Sequence, residues 1–289
     1  MKFIASDLDG TLLNENGKIS PENAQAIMRA QEHGITFMAV TGRTWQSANL
    51  PLQEAGITCP IISLNGAISS NEDGQMIREV PMDTAVCKKV LEGCRKSDMH
   101  TVFFTSKGVY ADSREQFMKV IMDIIATANP KATDEQIYEG AKQYLEIEKM
   151  QFIGAAEELF HAEDLLIYKM LGFSLKEENR LKVYKQLEDV RDMVITSSGE
   201  INLEFNHPDA QKGTAVELFA KRLGVGMEDV MAMGDNFNDV SMLQKAGRAV
   251  AMGNAMEEVK QLCSHTTNTN NENGVAAAIE EMLKEAEVI

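Results

Sequence analysis

The 289-residue chain has no apolar run approaching the roughly 18 residues that a membrane-spanning helix requires. Its four cysteines, Cys59, Cys87, Cys94 and Cys263, form no CxxC pair and have no companion histidine pattern. That argues against a disulfide frame or a zinc site and for reduced thiols in a cytoplasmic protein. Basic charge is scarce: 28 Lys and Arg face 44 Asp and Glu, a net charge of −16. A nucleic acid is therefore not the expected main partner, because a phosphate backbone needs a basic face. Low-complexity tracts and internal repeats are absent too, and with 44% hydrophobic and 25% charged residues the chain reads as globular. The start, MKFIASDLDG, reaches Asp7 too early for a secretory signal. The 18 methionines read as adaptable core filler, Met150, Met170 and Met193 among them.

What is present begins at residues 6–11, SDLDGT, directly after the apolar Phe3, Ile4 and Ala5. Residues i and i+2 of a strand point the same way, so Asp7 and Asp9 would crowd one spot. The crowding is costly unless the strand has just ended or a cation sits there. Gly10 is consistent with an ended strand. The pair is either a solvated strand-end turn or part of a metal-dependent active site, and the second reading needs partners elsewhere.

The first 80 residues alternate strand and helix. Phe3–Ser6 reads as a buried strand, and 12–19 as a small hairpin with Asn16-Gly17 at its turn. Ser20 caps a helix with Pro21 at its first position, which stops at Gly34. A strand at 35–40, a helix over 44–55 and a strand at 61–64, ending in Asn65-Gly66, complete a βαβαβ order. That order implies a parallel sheet with right-handed crossovers. The last 80 residues repeat it: helix 213–225, strand 230–233, helix 240–247, strand 249–252, and helices near 255–264 and 274–286. The middle lacks strict alternation. It carries a strand–turn–strand at 100–111, a strand at 165–173, a hairpin over 192–205 with Gly199 at its turn, and helices near 83–97, 113–127 and 176–190. The expected fold is α/β: a Rossmann-like parallel-sheet core in two parts, 1–82 and 192–289, split by an α+β insert at 83–191.

In such sheets, function gathers beyond the carboxyl ends of the strands. The first strand is followed by Asp7-Leu8-Asp9-Gly10-Thr11, the second by Thr41-Gly42-Arg43, and the strand at 230–233 by GDNFND, Gly234 to Asp239. Lys212 stands just ahead of the helix at 213. Four separate segments thus bring carboxylates, a hydroxyl, an ammonium and glycines to one edge.

DLDGT, TGR, QKG and GDNFND, in that order, resemble the four motifs of the haloacid dehalogenase superfamily phosphatases. The layout resembles the Cof-like branch, whose cap is inserted after the second motif, and the likeness covers essentially the whole chain. The resemblance implies that Asp7 is a nucleophile forming an aspartyl-phosphate. It implies that Asp9 protonates the leaving alcohol and then activates water. Leu8, Thr41, Gly42, Lys212 and Asn238 would contact the phosphoryl group. Mg²⁺ would be held by Asp7, Asp235 and the Asp9 carbonyl, with Asp239 orienting the metal shell. The chemistry agrees: phosphoryl transfer is mostly positioning and charge neutralisation, which suits a hard cation with oxygen ligands. Mg²⁺ and Lys212 would also offset locally the acidic field that otherwise repels an anionic substrate. The expected activity is Mg-dependent hydrolysis of small phosphorylated metabolites, such as sugar phosphates, nucleotides or phosphorylated cofactors. The insert is expected to close over the phosphate site as a lid.

Two rivals differ in class. A phosphomutase on the same core would carry its cap between the first two motifs, where only a hairpin and one helix fit. A non-catalytic phosphometabolite-binding regulator would tolerate losing Asp9 or Lys212, and both are present. Arg43 could assist the phosphate-binding turn or form a surface ion pair. Core packing and turn formation explain Trp45 and Asn65, and helix or loop chemistry explains His33 and His207. His100, His161 and His265 have no ligand spacing. Neither the oligomeric state nor the individual substrate can be read from the residues.

Overall fold

The computed structural model describes residues 1–128, 132–197 and 201–287. They divide into two compact units, Met1–Glu79 with Asp209–Ile289, and Val80–Pro208.

The first unit is built on an eight-stranded sheet. Its order is His265–Thr266, Arg248–Ala251, Val230–Gly234, Phe3–Ser6, Thr36–Val40, Ile61–Ser63, Ile68–Ser70, Met76–Glu79. Neighbours run parallel from the first of these to Ile61–Ser63, and the last two strands join antiparallel. Parallel strands are covered on both faces, so they read as unbroken apolar runs. Phe3–Ser6, Val230–Gly234 and Arg248–Ala251 are accordingly buried along their whole length. Phe3, Phe37, Ile4, Met38 and Ile62 fill the sheet's core against Ile27, Leu52, Val216, Phe219 and Ile279 from the helices.

The helices start where local chemistry supplies a cap. Ser20 accepts from the Asn23 N–H ahead of Pro21–Glu32, and Thr44 accepts from the Ser47 N–H ahead of Trp45–Glu54. Phe3–Ser6 lies between strands that come later on both sides, so the strand order reverses there. Such a reversal opens the crevice in which α/β proteins hold their ligands. Ser6 pairs with both Ala39 and Met233, so residues 7, 41 and 235 emerge at the same edge.

The second unit holds a six-stranded sheet in the order Val194–Thr196, Asn202–Asn206, Ile167–Phe173, His100–Thr105, Gly108–Ala111, Gln151–Phe152. All its pairs are antiparallel except the last, which is parallel. One face, with Phe103, Met170, Leu203 and Phe205, packs on Val86, Val90, Cys94, Val183 and Leu187 of helices Thr84–Lys96 and Glu177–Leu187. The Phe117 ring of helix Arg114–Ala128 lies 6.2 Å from Tyr144 of helix Asp134–Ile147. Within the sheet, Lys169 Nζ donates to Glu204 Oε1 at 2.9 Å, and both residues are buried.

The architecture is the expected α/β class, with differences in detail. The hairpin over 192–205, assigned to the core from sequence, joins the second sheet, where Asn202–Asn206 pairs with Ile167–Phe173. Leu203 and Phe205 are buried in that unit's own cluster, which draws the strand there. Gly199, expected at its turn, lies outside the described residues. Residues 12–19 form turns instead of a strand pair: Asn14 and Lys18 close a loop through one backbone bond, with Gly17 at φ +68°. Helix 240–247 is shorter than expected, Val240–Leu243, and helix 255–264 shrinks to Glu257–Gln261. Helix Asp134–Ile147 is an addition to the elements expected from the sequence. Among the described residues, no helix is long and apolar enough to cross a membrane.

Candidate active site

Three chain segments meet at the edge of the first sheet beyond Phe3–Ser6. The first leaves the strand at Asp7, whose N–H donates to the Met233 carbonyl at 3.0 Å and so carries the ladder one residue further. The chain then turns sharply: Thr11 N–H donates to the Leu8 carbonyl at 3.2 Å and Leu13 N–H to the same oxygen at 2.8 Å. Gly10 adopts φ +75° in this turn, and a Cβ there would stand 2.8 Å from Asp235 Cγ. Glycine is required both by the backbone and by the neighbouring carboxylate.

The second segment follows Thr36–Val40. Thr41 is buried, and its Oγ1 accepts from the Arg43 N–H at 3.1 Å, while its carbonyl accepts from the Asn65 N–H at 2.9 Å. Asn65 sits at φ 57°, in the left-handed region that asparagine tolerates, and is buried in the turn. Trp45 packs against the core and lies over Gly74. Packing and turn formation account for both residues.

The third segment combines the turn after Val230–Gly234 with the start of helix Lys212–Arg222. Asp239 is fully buried and serves as its organising acceptor. Its Oδ2 takes the N–H groups of Asp235 and Asn236 at 2.9 and 3.1 Å. Its Oδ1 takes Lys212 Nζ at 2.7 Å. Lys212 Nζ also donates to Asp7 Oδ1 at 2.7 Å, so a single buried ammonium joins two acids from distant parts of the chain. Asp235 Oδ1 accepts from the Thr11 hydroxyl at 2.9 Å. Gly213, next to Lys212, lies so close to the Ser241 backbone that a Cβ would stand 2.8 Å from the Met242 nitrogen. That contact seats the helix start against the turn.

The charges do not balance. Asp7, Asp235 and Asp239 offer oxygens that all lie within 4.8 Å of one another, against the one ammonium of Lys212. Burial pushes the Asp7 carboxyl well above the ordinary range, Asp239 adds to this, and Lys212 opposes it. Asp235 is pushed up to about 7, first by burial and then by Asp239, with the Thr11 hydroxyl acting against the rise. Burial disfavours the Lys212 charge, but Asp239 and Asp7 outweigh it and hold the ammonium firmly protonated. The cluster fits a hard divalent cation: crowded carboxylate oxygens, an excess of negative charge, and a glycine that leaves room beside Asp235.

The structure thus brings Asp7, Lys212, Asp235 and Asp239 into direct contact or close approach. Leu8 turns its side chain into the core, where it is fully buried. Asn238 lies in the short turn Phe237–Asp239, and its side-chain oxygen is buried with no partner among the described residues. Asp9 stands apart from the acidic cluster. Its carboxylate is exposed and gripped by Arg43, through Nε at 2.7 Å and Nη2 at 2.5 Å. Two further contacts lie at the site: the Thr11 hydroxyl on Asp235, and Arg43, which takes the ion-pair role of the two expected for it, with Asp9 as partner. Thr11 was readable as the last letter of DLDGT, whereas the Arg43 pairing joins positions 34 apart and leaves no local trace.

The family model described as haloacid dehalogenase-like hydrolase matches residues 4–279. The phosphatase YwpJ of Bacillus subtilis (strain 168) is 34% identical over 285 residues, 98% of this chain and 100% of that protein. The 5-amino-6-(5-phospho-D-ribitylamino)uracil phosphatase YwtE of the same organism is 32% identical over 98% of both chains. A solved haloacid dehalogenase-like hydrolase from B. subtilis superposes with a TM-score of 0.88 at 34% identity, covering 97% of this chain and 99% of its own. With that match spanning nearly the whole chain, the protein belongs to the haloacid dehalogenase-like hydrolases.

Proposed function

We propose that the protein is a Mg²⁺-dependent phosphatase that hydrolyses phosphate monoesters of small metabolites through an aspartyl-phosphate on Asp7. The observation that carries this reading is the buried Asp7–Lys212–Asp239 chain, two bonds of 2.7 Å at the point where the strand order reverses. It presents a carboxylate whose Oδ1 is held by an ammonium, while Oδ2 has no hydrogen bond among the described residues. A fixed carboxylate with one unengaged oxygen suits in-line attack on phosphorus.

In the first step Asp7 Oδ2 bonds to phosphorus, the bond from phosphorus to the ester oxygen breaks, and Asp9, entering the step in its protonated form, gives that oxygen its proton. In the second step Asp9 takes a proton from water, whose oxygen bonds to phosphorus while the bond to Asp7 breaks. Inorganic phosphate leaves, and both carboxyls return to their starting state. Thr41, Gly42, the Leu8 backbone, Lys212 and Asn238 hold the phosphoryl oxygens. Asn238 would do so through its side-chain N–H, since its Oδ1, buried without a partner among the described residues, can only accept. Asp7, Asp235 and the Asp9 carbonyl would hold Mg²⁺, with Asp239 fixing the Asp235 turn through its two N–H acceptor bonds. When bound, Mg²⁺ supplies charge neutralisation for the transferring phosphoryl group.

The relatives' names suggest one candidate ester, the 5-amino-6-(5-phospho-D-ribitylamino)uracil acted on by YwtE and YcsE, at 32% and 29% identity. Purified protein with Mg²⁺ should release phosphate from an aryl phosphate and from a subset of a metabolite panel containing that ester. Asp7→Asn should stop both activities. No release from any ester with Mg²⁺ present would contradict the reading.

A further inference from the structure

The Asp9–Arg43 pair differs from an ordinary surface ion pair in two respects. It is a two-bond fork, with Arg43 Nε on Asp9 Oδ2 and Nη2 on Asp9 Oδ1. Such bidentate geometry fixes the orientation of a carboxylate as well as its location. The Arg43 backbone is also anchored, and the guanidinium has a second, longer contact. The Arg43 N–H donates to Thr41 Oγ1 at 3.1 Å, its carbonyl accepts from the Leu64 N–H at 2.9 Å, and Nη1 reaches the Ser47 carbonyl at 3.5 Å. The Asp9 side chain, by contrast, is 55% exposed. Left alone, it would sample several rotamers.

We propose that Arg43 is a positioning residue for Asp9: it aims the carboxyl at the leaving-group oxygen and so acts on ester departure, not on phosphate binding. The proposal rests on the proton-transfer role given to Asp9 above. The two nitrogens that would fork onto a phosphate, Nε and Nη2, are engaged with Asp9. As the ester binds, one Asp9 oxygen carries the proton on a lone pair the fork does not use and presents it to the leaving group, while both bonds keep the carboxyl plane fixed. A misaimed acid costs most where the departing oxygen most needs a proton.

The test is a double-mutant cycle of Arg43→Met and Asp9→Asn, read as kcat and KM on an aryl and an alkyl phosphate. Arg43→Met should lower kcat about 10–100-fold on the alkyl ester, the scale of a misplaced reacting group, with KM little changed. The aryl ester, whose leaving group needs little protonation, should lose only a few-fold. In the Asp9→Asn background the further loss should vanish. Arg43→Lys, which keeps the charge and loses the fork, should recover only part of the alkyl rate. Equal losses on both esters, losses confined to KM, losses that persist with Asp9→Asn, full recovery by lysine, or no loss at all would overturn the proposal. Failure of the phosphatase reading itself appears separately, as undiminished turnover by Asp7→Asn.

Discussion

The ammonium of Lys212 lies 2.7 Å from Asp7 Oδ1, with neither side chain more than 5% exposed. The same nitrogen neutralises Asp239, so its removal strands two buried carboxylates at once. Breaking a buried pair from one side costs about 3–5 kcal/mol, since the remaining charge loses its partner in a poorly solvated place. Lys212→Met should therefore lower the urea-unfolding free energy by about that amount in metal-free protein, and saturating Mg²⁺ should return part of it. A loss within about 0.5 kcal/mol, the range of an ordinary surface change, would contradict this account.

The cluster should respond to pH in a way set by its surplus of acids. Asp235 titrates at about 7 in the folded chain against an ordinary 3.8, so between those values the folded state binds more protons than the unfolded one. Stability from this group then falls as pH rises, the reverse of a salt-bridged carboxylate. Asp7, displaced in the same direction, adds to the effect. Metal-free protein should lose Tm between about pH 5.5 and 7.5, where most other carboxylates have finished titrating. Mg²⁺, if held by the charged carboxylates as proposed, should stabilise more at the higher pH. Equal Mg²⁺ stabilisation at both ends would argue against binding in this cluster.

Gly10 leaves the space beside Asp235 open. An alanine there would meet the Asp235 carboxylate and would also hold φ +75°, a strain of about 1–2 kcal/mol for an L-residue. Gly10→Ala should raise the Mg²⁺ concentration needed for half-maximal activity and lower Tm. An unchanged Mg²⁺ titration would show that the Asp235 carboxylate is not a ligand.

The second unit carries a test of its own. Lys169 and Glu204 are 3% and 2% exposed at their side chains, with Lys169 Nζ also 5.5 Å from the Phe104 ring. Lys169→Met alone should cost several kcal/mol by urea unfolding, while Lys169→Met with Glu204→Leu should recover most of it. If the double variant is no better than the single one, the pair's surroundings hold the sheet more than its charges do.

The five inner strands of the first unit's sheet were legible because buried parallel strands announce themselves as short apolar runs. Phe3–Ser6 followed by Asp7, and Val230–Gly234 followed by Asp235, are examples. The outer strands Ile68–Ser70, Met76–Glu79 and His265–Thr266 hold no such run. The hairpin at 194–206 was assigned to the wrong unit because its alternation is the same whichever sheet edge receives it. Only its long-range register with Ile167–Phe173 decides the matter. Helix Asp134–Ile147 did carry a signal, the reciprocal Thr133–Gln136 cap. The Arg43–Asp9 fork and the Lys169–Glu204 pair left none, since they join residues 34 and 35 apart with no local periodicity.

Transfer of the phosphoryl group to Asp7 can be read on the protein itself. Native enzyme mixed with a rapidly cleaved aryl phosphate and Mg²⁺, quenched in acid within the first turnover and digested, should show one phosphoryl group on the peptide that carries Asp7. The label should decay at the rate of the second step, and Asp7→Asn should show neither label nor turnover. Turnover with no phosphopeptide at any quench time, together with an active Asp7→Asn enzyme, would contradict the account.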